Sequence, residues 1–187
     1  MTWDPVHDGR TTFLACMRAL CSPGAPIEIP SVPNVAERPE LDRAAAVLLA
    51  LLDHGLGLAT YGGDAARQVA AAVRATTGAG AADLGTADWV LVDGPPGAAI
   101  SQARRGTCRN PESGATLVIA TAEQGRPLPL AGPGLRQPTT CSVPLHGLAV
   151  QALSEANSNP PTGVDVLIVT PQWLIGLPRS VAIQAVP

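Results

Sequence analysis

Three short apolar runs set the folding problem for this chain: Trp89-Val90-Leu91-Val92, Thr116-Leu117-Val118-Ile119-Ala120, and the stretch from Val164 to Thr170. Each is too short for a buried helix, and each is bounded by Gly, Pro, Ser or Asp. Strands with apolar residues on consecutive positions need cover on both faces. That predicts a sheet inside the molecule with helices above and below it. Ala115 to Thr121 is the clearest strand of the three.

The covering helices are legible as well. Asp8 to Cys21 reads as helix, because Phe13, Leu14, Met17, Leu20 and Cys21 recur at spacings of three and four. Asp8 sits where a cap or a first-turn acid is wanted, and Ser22-Pro23-Gly24 stops the helix. Pro39 opens a second helix, expected to run to about His54, with a wide apolar face of Leu41, Ala45, Leu48 and Leu52. Further helices are predicted over 64–77, 98–105 and 145–157. Shorter strands are predicted at 27–29, 57–61, 128–130, 173–177 and 180–185. Gln124-Gly125 is expected to turn 128–130 back as a partner of the 115–121 strand, with Pro127 and Pro129 marking an edge. Early alternation of helix and strand with several late strands predicts an α/β fold: a three-layer mixed sheet with helices on both faces. No linker or internal repeat interrupts the chain, so residues 1–187 read as one domain.

Composition removes whole classes of chemistry. All 12 basic side chains are arginine, and lysine is absent. No lysine Schiff base can form, and no P-loop lysine exists. Pyridoxal phosphate bound as a lysine aldimine and P-loop nucleotide hydrolysis are therefore excluded. The net charge of −3 argues against nucleic-acid binding through a strong basic field. The longest apolar run, Ala44 to Leu52, falls well short of the roughly 20 residues a membrane span needs. The first residues lack a basic segment followed by an apolar one, which predicts no signal peptide and a cytoplasmic protein. Cys16, Cys21, Cys108 and Cys141 form no C-x-x-C pair and are expected to be reduced thiols.

Common catalytic and metal-binding motifs are absent from the sequence. There is no G-x-S-x-G elbow, and His7, His54 and His146 are scattered without metal spacing. Gly55-Leu56-Gly57 and Gly78-Ala79-Gly80 follow helices rather than strands, so neither fits a dinucleotide loop. No catalytic residue and no metal ligand is assigned. Two loops remain as candidate ligand or partner contacts. Gly132 and Gly134 flank Pro133 in a sharp turn that lets backbone approach closely. Asp165 and Arg179 lie on segments joined by a predicted hairpin, where they either form a local salt bridge or present an arginine fork to an anion or a partner.

The chain as a whole resembles the PhnH family, a subunit of the bacterial carbon–phosphorus lyase system for phosphonate use. The resemblance runs from about residue 8 to 185. It rests on Asp8-Gly-Arg-Thr-Thr-Phe13 leading into Met17-Arg-Ala-Leu-Cys-Ser-Pro23-Gly24, then Ala46 to Asp53, Thr76-Thr77-Gly78-Ala79 and Ala87-Asp88-Trp89-Val90-Leu91-Val92. It continues through Gly106-Thr107, Pro111-Glu112-Ser113-Gly114-Ala115-Thr116-Leu117 and Leu130-Ala131-Gly132-Pro133-Gly134-Leu135, and closes on Pro161-Thr162-Gly163-Val164-Asp165 and Gly176-Leu177-Pro178-Arg179-Ser180. Departures are Leu14 in place of a frequent Arg, Ala75 and Thr76 in place of an aromatic and a His, Pro160 in place of a Phe, and Ser180 in place of a Thr.

The resemblance implies a fold similar to pyridoxal-phosphate-dependent transferases but without the cofactor. It implies a homodimer that assembles with subunits G, I and J of the lyase core. It implies an accessory part in the step where an alkylphosphonate displaces adenine from ATP, giving a ribose 1-phosphonate 5-triphosphate. The alternative kept beside it is a free-standing small-molecule binding protein of the same fold.

Overall fold

The structure, a computed structural model, describes residues 3–145 and 147–184. His146 and Ala185, the last residue of the strand predicted over 180–185, lie outside the described residues. The elements run α1 (His7–Cys21), α2 (Pro39–Leu51), β1 (Gly57–Tyr61), α3 (Asp64–Thr77), β2 (Gly80–Ala81), β3 (Trp89–Asp93), α4 (Gly97–Gln102), β4 (Thr116–Ala120), β5 (Arg126–Ala131), β6 (Thr139–Val143), α5 (Leu148–Ala156), β7 (Asp165–Val169), β8 (Leu174–Leu177) and β9 (Ala182–Ile183).

The predicted α/β class holds. The three apolar runs are β3, β4 and β7, neighbours at the centre of a six-stranded sheet ordered β2-β1-β3-β4-β7-β8. All pairings are parallel except β7 with β8. Side chains alternate between two cores. Val90, Val92, Leu117, Ile119, Val166 and Ile168 face α4, α5 and a smaller sheet. Leu91, Val118, Ala120, Leu167 and Val169 face α1, α2 and α3. Helices thus cover both faces, and large side chains such as Leu91, Leu117 and Ile168 are fully buried. Each stabilises the fold by about 1.5–3 kcal/mol.

Several expectations are corrected. Residues 128–130 do not pair with the 115–121 strand. The edges of β4 are occupied by β3 and β7, so β5 joins β6 and β9 in a separate three-stranded antiparallel sheet. Pro127 and Pro129 do not mark an edge: β5 is the middle strand of that sheet, paired with β6 on one side and β9 on the other, and the Pro129 carbonyl accepts the N–H of Gln184. The expected strand at 27–29 reduces to a single bridge, Ile27 with Leu174. The second helix ends at Leu51 rather than His54, and the helix predicted over 145–157 runs only Leu148–Ala156. β2 and β6 were not expected. Asp8 lies in the first turn of α1, as one of its two expected roles has it; the N-cap position is Val6, which has no side-chain cap, and just ahead of it the Asp4 carboxylate accepts the N–H groups of Val6 and His7 at 2.8 and 3.1 Å. Asp8 returns the favour by accepting the N–H of Asp4. Among the described residues no helix is long and apolar enough to cross a membrane.

A crevice at the switch point as the candidate functional site

β1 and β3 are neighbours whose onward connections part. From β1 the chain runs through α3, on one face, to the outer strand β2. From β3 it runs through α4, on the opposite face, to β4 on the other side. Such a divergence opens a crevice beyond the carboxyl ends of the strands, the usual ligand position in open α/β sheets. A cavity of about 820 Å³ lies there. Its floor is formed by the last residues of β1, β3 and β4, namely Tyr61, Asp93 and Ala120, and its walls by the Gly94-Pro95-Pro96-Gly97 turn and by α5.

Local sequence explains the shape. Gly62 has φ of +153°, and a Cβ there would sit 2.8 Å from the carbonyl oxygen of Asp93, so only glycine lets the turn after β1 pass so close to the end of β3. Arg38 precedes Pro39, which restricts it to extended backbone, here φ −125° and ψ 113°. That conformation sends its side chain across to the crevice. Its guanidinium grips Asp93 with both terminal nitrogens, at 2.9 and 3.0 Å, while Nε donates to Glu40 at 2.9 Å. Arg38 is 43% exposed, whereas Asp93 and Glu40 are 13% and 6% exposed. The carboxylates are therefore the desolvated members, and the arginine covers them. Hydrogen bonding to Asp93, and less to Glu40, raises the Arg38 pKa above its ordinary value against the opposing effect of burial. The cluster ties the loop before α2 to the end of the central sheet. Ser101, Thr121, Glu123, Gln151 and Glu155 add polar groups around the opening.

The residues singled out in the sequence lie elsewhere. Asp165 and Arg179 do meet, at the start of β7, the opposite end of the sheet. Arg179 donates from Nε to Asp165 at 3.0 Å, and its backbone N–H reaches the same carboxylate at 2.7 Å. The guanidinium also donates to the carbonyls of Pro111 and Gly114. Gly132 comes close to Ser180 and Val181, and Gly134 to Cys21 and Pro23. The close backbone approaches at both glycines are to this chain itself. None of the four lines the crevice.

Sequence reasoning missed Arg38, Tyr61 and Asp93. A signal was present for two of them: Tyr61-Gly62 and Asp93-Gly94 each close a predicted strand immediately before a turn into a helix. Arg38 carries no such mark, because its partner lies 55 residues away. Among the described residues no group of three or more His, Cys, Asp or Glu is placed to hold a metal ion.

A family model described as bacterial phosphonate metabolism protein (PhnH) matches residues 2–184. No curated protein matches the chain.

Proposed function

This chain belongs to the PhnH family of bacterial phosphonate metabolism proteins, and on that premise we propose that it is an accessory subunit of the carbon–phosphorus lyase system. In this reading it supports the step in which an alkylphosphonate oxygen bonds to the ribose of ATP as adenine leaves. It works in the cytoplasm as a homodimer with subunits G, I and J. The observation that carries the reading is the extent of the match, residues 2–184 of the 187.

The side-chain chemistry supports an assisting part. With no lysine, the chain cannot form an internal aldimine, so pyridoxal phosphate chemistry of the lysine-linked kind is not its contribution. Its charged clusters Arg38-Asp93-Glu40 and Arg179-Asp165 are ion pairs that hold segments together.

The test is genetic and biochemical. A strain lacking its own H subunit should regain growth on methylphosphonate as sole phosphorus source when given this chain, and tagged chain should retain subunits G, I and J on purification. Failure of this chain to restore growth, or its purification free of all three in the presence of the others, would sink the proposal. The crevice at the switch point favours a second reading, a free-standing small-molecule binding protein. Ligand binding by the isolated chain with no complementation would select it.

A further inference from the structure

We infer that the crevice at the carboxyl ends of β1, β3 and β4 binds an organic cation, an ammonium or guanidinium group on an apolar body, and discriminates against phosphonates and nucleoside triphosphates. Its volume of about 820 Å³ suits a small organic molecule.

Charge decides the class. Arg38 is the only cation among the described lining residues. It is committed to two carboxylates, Asp93 and Glu40, so that cluster carries one net negative charge. Glu155 adds another; its carboxylate accepts a hydrogen bond at 3.1 Å from the Gln151 amide, a neutral donor that leaves the charge in place. An arginine whose fork already holds a carboxylate has little to offer a phosphonate. A dianionic or more highly charged ligand would instead meet two uncancelled negative charges.

The walls fit the other half of the ligand. Tyr61, Pro95, Pro96, Leu145 and Leu148 line the space, and Leu148 is 79% exposed at its mouth. An aromatic ring beside carboxylates is a common receptor for a cation with an apolar body. The same cation can come as a free amine or as the Arg or Lys side chain of a peptide, and the experiment separates these sources.

The inference stands on the crevice alone, so its failure and failure of the phosphonate role show in different assays. Calorimetry and ligand-observed NMR on the purified full chain would use 2-phenylethylamine, its neutral isostere 2-phenylethanol, methylphosphonate, ATP and an arginine-centred pentapeptide. The amine should bind about threefold or more tightly than the alcohol, while methylphosphonate and ATP should not compete with it. Glu155→Gln should weaken the amine about two- to fivefold and leave the alcohol unchanged. Glu155 is exposed on α5, so the variant's melting temperature should match the parent and certify the fold. Tighter binding of the peptide than of the amine assigns the cation to a polypeptide, and weaker binding to a free ligand. Equal affinity for amine and alcohol, competition by methylphosphonate or ATP, or an unaltered amine affinity in Glu155→Gln would overturn the inference.

Discussion

Arg179 is the residue on which sequence and structure speak most directly to each other. Its pairing with Asp165 followed from the expected hairpin, and the structure supplies it. What the sequence did not reveal is the second half of the contact. The same guanidinium also reaches the Pro111 and Gly114 carbonyls, joining the segment after β8 to the turn before β4. Those partners lie 68 and 65 residues away, and no local pattern encodes them. The pair is only 18% and 22% exposed, so it escapes most of the solvent screening that makes surface ion pairs weak. Arg179→Ala is expected to cost on the order of 2 kcal/mol, and Arg179→Lys to recover only part of it, because an ammonium has no planar fork. Denaturant melts of the three proteins check this.

Thiol chemistry gives a second expectation at the same scale. Cys16 is fully buried on α1, and burial pushes its thiol up to about 12 from an ordinary 9.0. Burial raises Cys141 as well, while Cys21 and Cys108 are exposed. Timed alkylation of the native protein at mildly alkaline pH should modify Cys21 and Cys108 first, Cys141 later, and Cys16 only on unfolding. The native state keeps the Cys16 proton where the unfolded chain would release it. Stability should therefore fall as pH climbs from 9.0 toward about 12. A Cys16→Ala variant should show a shallower decline across that range.

At the scale of elements, fit is decided where a helix meets a strand. Gly176 lies in β8 directly beneath α1, and a Cβ there would come within 2.5 Å of the Ala19 carbonyl. Neither backbone can yield cheaply. Gly176→Ala should push α1 outward and destabilise the protein by about 1–3 kcal/mol. Limited proteolysis should report the change as faster cleavage around α1. Element type was readable wherever burial was two-sided or periodicity was long: β3, β4, β7 and the helices α1, α2 and α3 stand close to where the sequence put them. The failures have a common cause. β2 and β6 are short or mostly exposed and owe their strand character to a neighbour rather than to their own residues. The partner of β5 was misassigned because nearness in sequence favoured β4, whose hydrogen-bonding edges other strands had already taken. The crevice is half legible: the strand ends at Tyr61 and Asp93 can be read in the sequence, but the divergence of their connections appears only once strand order is known.

For the whole molecule, the proposed homodimer makes a simple expectation. Light scattering coupled to sizing should give about twice 19.0 kDa at micromolar concentration. A clean monomer would count against that part of the proposal.

The segment that closes β8 bears on how any such association is built. Ile27 exchanges two backbone hydrogen bonds with Leu174, each 2.8 Å, and Gly24 donates to the Gly176 carbonyl at 3.0 Å. Three outward backbone groups of that strand, the N–H and carbonyl of Leu174 and the carbonyl of Gly176, are thereby occupied by the chain's own backbone. At the far end of the sheet, β2 offers only Gly80 and Ala81. Exposed strand edges are templates for augmentation by a foreign strand, and this sheet has one edge plugged and the other too short to nucleate a ladder. Subunits that approach either end of the six-stranded sheet must therefore read side chains there rather than add a strand, a mode that ties recognition to amino-acid identity rather than to backbone geometry that almost any extended peptide shares.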